Sequence, residues 1–162
     1  MSRLELGLVA AITAFAALLL LTRPRPGPPP SPHCRGGPPL AGVYHPARLE
    51  VRKRCAIAAG VVTSVRFEQY DGDVHVNLRG DDGQQLVVEV IPQDRSVVPI
   101  PDTGSRVTVV GPQVWDTAHD WPEIHPAWWI SSGRIVAASA EELARVQSLL
   151  RDVPGQQEAS DD

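Results

Sequence analysis

Positive charge is scarce where this chain looks foldable. From Cys55 to Val136 it carries five basic residues against eleven acidic ones, within an overall net charge of −4. Lys and Arg supply most of the affinity for phosphate backbones, so this balance argues against a nucleic-acid binder. Cysteine is nearly absent: Cys34 and Cys55 are the only two, and neither reads as a nucleophile. There is no Gly-rich phosphate loop and no Gly-x-Ser-x-Gly turn, and Ser131 and Ser132 have no evident base. No histidine pair has the H-x-x-x-H spacing of a helical metal motif. Reaction type therefore cannot be read from a motif.

Hydrophobic residues make up 43% of the 162-residue chain, enough for one ordinary core. Two regions fall outside it. Leu6 to Leu21 is uncharged and almost wholly apolar, close to the length of a spanning helix. It ends in Leu-Leu-Thr-Arg-Pro, without the small residues of a cleavage site, so an uncleaved signal anchor over residues 1–23 is expected. Prolines then concentrate between Pro24 and Pro46, which predicts a stiff linker over 24–47. Arg23 and Arg25 after the apolar run favour a cytoplasmic C-terminal side, whereas a stiff spacer suits a domain held away from a bilayer. An even cysteine count suits a Cys34–Cys55 disulfide in an oxidising compartment, with two unrelated thiols as the alternative. The expected location is thus a single-pass membrane protein with an extracytoplasmic domain.

Residues 48–138 read as an all-β domain, a small five-stranded OB-like barrel. A first strand is expected from Cys55 to Phe67, with Gly60 as a bulge or bend. Asp71-Gly72 marks a hairpin turn. Val74, Val76 and Leu78 alternate with polar residues in a second strand, and Leu86, Val88 and Val90 point inward from a third. A fourth is expected over Arg106–Val110, with Trp115 as the furthest point of an extension. Asp116 to Pro126 reads as an irregular loop, and a fifth strand over Ala127–Ile130, resuming at Arg134–Ala137. Ser139 followed by Glu142 forms a capping box for an amphipathic helix over 139–152. The polar residues 153–162 read as a disordered acidic tail.

Two segments hold the residue types that do chemistry. One is Asp71-Gly72-Asp73-Val74-His75; the other runs from Trp115 to Pro126. In an OB-like barrel the loops between strands 1 and 2 and between strands 4 and 5 flank one ligand face. Asp71, Asp73, His75, Asp116, His119, Trp121, Glu123 and His125 are therefore the expected ligand-binding residues. Alternation puts Asp73 with His75 and Glu123 with His125. Imidazoles and carboxylates suit a divalent metal such as zinc, for which Asp73, His75, His119, Glu123 and His125 are the candidate ligands. The same residues could instead be turn and corner devices satisfied internally. The tryptophans read as core or rim packing, or as stacking platforms if exposed.

Cys55, then Gly60-Val61-Val62, Asp71-Gly72-Asp73-x-His75, Val87-Val88-Glu89-Val90 and His119-x-Trp121-x-Glu123-Ile124-His125-Pro126, together resemble a family of small bacterial exported or membrane-anchored proteins. The resemblance covers roughly residues 34–131 and implies an OB-like domain. It implies no activity, substrate or cofactor. Three functions follow as expectations: a membrane-anchored ligand-binding module for a small ligand or envelope component, a metal-dependent, nuclease-like hydrolase on the same scaffold, and a structural protein of the cell envelope.

Overall fold

The computed structural model describes residues 31–151. The expected signal anchor, the start of the linker and the acidic tail lie outside them. Among the described residues no helix is long and apolar enough to cross a membrane.

The fold is mostly β-sheet with one C-terminal helix. Six strands form it: β1 (Leu49–Phe67), β2 (Val74–Gly80), β3 (Gln85–Val90), β4 (Arg106–Asp116), β5 (Trp121–Ile124) and β6 (Trp129–Ile130), followed by α1 (Ala140–Arg151). Their order is β1-β2-β3-β5-β4-β6, and β4 also pairs with β1. Five strands thus make a circuit that returns to its start. All its pairings are antiparallel except β3 with β5.

β1 begins earlier than the expected Cys55. Its first part pairs with β4 and its last part with β2, and Gly60 and Val61 pair with both. The charged run from Glu50 to Arg54 hid the strand, because pairing through the backbone does not require apolar side chains. The register slips lie between Val62 and Ser64, and on either side of Lys53, and none falls at Gly60. Gly60 serves a different need: a Cβ there would lie 2.5 Å from the Arg79 carbonyl oxygen. The neighbouring strand passes too close for any side chain.

The core follows the alternation. Val74, Val76 and Leu78 from β2, Val88 and Val90 from β3, Val107 and Val109 from β4 and Ile124 from β5 are all buried in one cluster. A smaller cluster forms on the outside, where Val43 and Leu49 pack on Ile91 and Val114, with Leu40 beside them. The end of the expected linker is therefore part of the folded unit. Pro38 and Leu40 accept the N–H groups of Ala41 and Val43, and a Cys34–Cys55 disulfide pins this segment to β1.

The fifth strand of the circuit is not at Ala127–Ala137 but inside the expected loop, at Trp121–Ile124. Pro122 made the run look broken. It is tolerated at the second position of a four-residue strand. Trp129–Ile130 forms only a short addition to β4, and Arg134 makes a single bridge to Ile100.

α1 has the expected capping box. Ser139 N–H donates to Glu142 Oε2 (2.8 Å) and Glu142 N–H to Ser139 Oγ (3.1 Å). Val146 is its buried residue, and Leu143, Leu149 and Leu150 are half-buried. Arg95 fastens the helix to the sheet, donating to Glu142 Oε1 (2.9 Å), the Val136 carbonyl (3.0 Å) and the Gly72 carbonyl (3.3 Å). The Ser139 N–H and the Arg95 guanidinium hold the Glu142 carboxyl down, from an ordinary 4.5 to about 2. Its stabilising contribution is complete above pH 4.5 and is lost as pH falls through about 2. The side chain is 33% exposed, so water screens the effect to roughly 1 kcal/mol or less. Urea melts of the wild type and Glu142→Gln should differ at pH 7 and converge toward pH 2.

Candidate functional site

The circuit brings the two distant segments together. In β2, His75 is paired with Glu89 of β3. β5 places Glu123 beside Val87 of β3 and Val114 of β4. His125 follows β5 immediately, its N–H donating to the Pro112 carbonyl (3.1 Å), and precedes a cis peptide to Pro126. Asp71 caps its own turn, accepting the Asp73 N–H (3.2 Å).

A continuous polar chain results. His125 Nδ1 lies 3.0 Å from Glu89 Oε2 and 3.4 Å from Glu123 Oε2, and its Nε2 lies 3.6 Å from Asp73 Oδ2. The other oxygen of Glu89 is 3.3 Å from His75 Nε2, and His75 Nδ1 faces Glu68 at 3.9 Å. The other oxygen of Glu123 accepts the Trp121 indole N–H (2.5 Å). Trp121 stacks on His119, whose Nδ1 is 2.8 Å from Asp116. Asp116 accepts the N–H groups of Ala118 and His119 and faces Arg48 Nε at 3.1 Å.

Depth divides this chain in two. Asp73, Glu89, Glu123 and His125 are at most 3% exposed. His75, His119 and Trp121 lie nearer water and line an open cleft of about 830 Å³ with Arg48, Glu68 and Tyr70. The eight expected ligand residues are thus connected, except that Asp71 takes part through its turn and the cleft wall. The five expected metal ligands do not form one set. Asp73 and His125 group with Glu89, whereas His119 and Glu123 group with Asp116. His75 belongs to neither group.

Glu89, Glu68 and Arg48 were absent from the expected residues. Alternation placed Glu89 on the outer face of β3, which reads as solvated. A lone carboxylate among Val87, Val88 and Val90 was the available signal. Arg48 lies at the linker boundary and had none.

Burial sets the electrostatics. It pushes the Asp73 carboxyl well above the usual range, with the charges of Asp71 and Glu123 adding to it. It does the same to Glu89, helped by Glu123 and Asp73. Burial lowers His75, outweighing the pull of Glu68. Burial also opposes the charge of Asp116, but the Ala118 N–H, the His119 ring and Arg48 overcome it and hold that carboxyl down. The buried cluster can therefore hold protons or a cation, while the cleft offers ring faces and hydrogen-bonding groups to a ligand.

No family model and no curated protein matches this chain.

Proposed function

We propose that the five-strand circuit is a small OB-type barrel, held outside the cytoplasm by the N-terminal anchor, that binds a small polar ligand in the cleft beside Trp121. The observation that carries the reading is the cleft itself: side chains from the β1–β2 turn, β2 and the β4–β5 region line one opening. Ligand faces in OB barrels are built from these same loops. The Cys34–Cys55 disulfide supports an oxidising compartment. So does the resemblance to small exported proteins, of which membership is part of the proposal.

The chemistry of the lining favours a neutral, hydroxyl-rich ring of the sugar class. Among the lining side chains, Arg48 and Arg66 equal Glu68 and Asp71 in formal charge, so the lining itself favours neither sign. Trp121 is 39% exposed, yet its indole is fixed by Glu123 at the N–H and by the His119 ring. A pre-oriented aromatic surface beside planar polar groups such as Asn77 and Gln85 suits a sugar ring, whose C–H face stacks while its hydroxyls hydrogen-bond.

Titrating the full chain in detergent with neutral oligosaccharides, followed by tryptophan fluorescence and calorimetry, tests this. Binding with a Kd on the order of 10 µM to 1 mM is expected. Trp121→Ala should weaken it about tenfold or more, roughly 1.4 kcal/mol, with folding retained by circular dichroism. If no oligosaccharide binds up to about 10 mM, near −3 kcal/mol of affinity, the sugar-class reading fails.

A further inference from the structure

The acidic cluster behind the cleft poses a problem of charge that the cleft's ligand does not address. Asp73, Glu89 and Glu123 are buried together. Among the described residues, no Lys or Arg lies within ion-pair distance of any of them. The rings of His75 and His125 face Glu89, the His125 ring and the Trp121 indole N–H face Glu123, and Arg48 acts on Asp73 and Glu89 only from beyond ion-pair distance.

One nitrogen in the cluster has no hydrogen-bond partner. His125 is 1% exposed, and its Nε2 makes no hydrogen bond while facing Asp73 Oδ2 from 3.6 Å. At the opposite edge of the ring, Nδ1 faces two carboxylate oxygens, Glu89 Oε2 at 3.0 Å and Glu123 Oε2 at 3.4 Å, and Trp121 holds the other oxygen of Glu123. A carboxylate at Nδ1 keeps the proton there and leaves the lone pair on Nε2, the arrangement that orients metal-binding histidines. A lone pair facing a carboxylate oxygen is repulsive unless a proton or a cation lies between them, and a cation can in addition bond the ring nitrogen and several carboxylates at once.

We propose that a divalent cation of the zinc or manganese class is bound by Asp73, Glu89 and His125, with Glu123 orienting the imidazole. One donor atom from each of the three lies within 4.8 Å of the others. Donors bonded at about 2.0–2.2 Å to a tetrahedral ion sit roughly 3.3–3.6 Å apart, so the three must draw together by about 1 Å, and the Glu89 carboxylate, 3.0 Å from Nδ1, must turn toward Nε2. The mixed imidazole and carboxylate set favours zinc or manganese over calcium or magnesium, which prefer oxygen alone. Full burial of all three ligands suits a structural ion, whose fourth position a second carboxylate oxygen or a water would fill. It would tie the start of β2 to β3 and to the end of β5. The ion does not depend on what the cleft binds.

The test uses the full chain, purified in detergent without a histidine tag. Elemental analysis should find about one equivalent of zinc or manganese per chain. Stripping with a chelator should lower Tm by on the order of 10 °C, and adding either ion at a hundredfold excess over Kd should restore it. Asp73→Asn and Glu89→Gln should each lose the metal, while His119→Ala should keep it. Absence of metal in the wild type, together with no Tm response to zinc or manganese, overturns the proposal. So does metal that survives Asp73→Asn but is lost in His119→Ala. If the variants do not fold, the wild-type stoichiometry and Tm response decide the matter alone.

Discussion

Gly111→Ala should destabilise the protein by about 3 kcal/mol or more, the upper range for forcing atoms into a packed core. A Cβ at this position would sit 2.5 Å from the Pro126 carbonyl oxygen and 2.7 Å from Ile124 Cγ2. The oxygen is backbone and cannot swing aside. Its segment is fixed on both sides: Ala127 N–H donates to the Glu89 carbonyl (2.7 Å), and Trp128 N–H to the Val110 carbonyl (2.8 Å). Relief therefore requires the whole stretch from Ile124 to Trp128 to lift from β4. That stretch contains His125, so the variant should also lose the buried ion and weaken the cleft. Urea unfolding of wild type and variant checks the first effect, and elemental analysis the second. An unchanged unfolding midpoint would mean that β4 and the His125–Pro126 segment do not approach this closely.

Removing the Cys34–Cys55 disulfide, as the double Cys→Ser variant, should cost about 3 kcal/mol. The bond closes a loop with a sequence separation of 21, and loop-closure entropy for such a length gives a value near 3 kcal/mol. The constrained segment also carries Leu40 and Val43, which cover Ile91 and Val114 on the outer face. Once freed, it should expose that apolar patch and loosen Arg48, which follows it and faces Asp116. A fall in Tm on the order of 10 °C is expected, readable by calorimetry on oxidised wild type and variant. Equal melting temperatures would show that the segment stays docked without the bond.

Much of the candidate site was legible because its two segments combine turn chemistry with side chains uncommon in a small core. Asp71-Gly72 marks a turn, and Asp73 and His75 follow it at strand spacing. His119, Trp121, Glu123 and His125 share one parity, and the structure connects them. Glu89 shows where such reading stops. On its own strand it occupies the face opposite Val88 and Val90, which alternation assigns to water. It is buried because His125 and the β5 end cover that face, and nothing local to β3 announces them.

The sequence by itself determined the inward faces of β2 and β3, the turn at Asp71-Gly72, and the start of α1 with its Ser139–Glu142 cap. Each depends on residues within a few positions of one another, where periodicity and hydrogen-bond reach decide the outcome. Only the tertiary structure decided that β5 lies at Trp121–Ile124, that it runs parallel to β3, and that β1 exchanges partners near Gly60. Those outcomes depend on which backbones meet across long stretches of chain. A strand's own side chains state which face prefers oil, but not which neighbour will cover the other one.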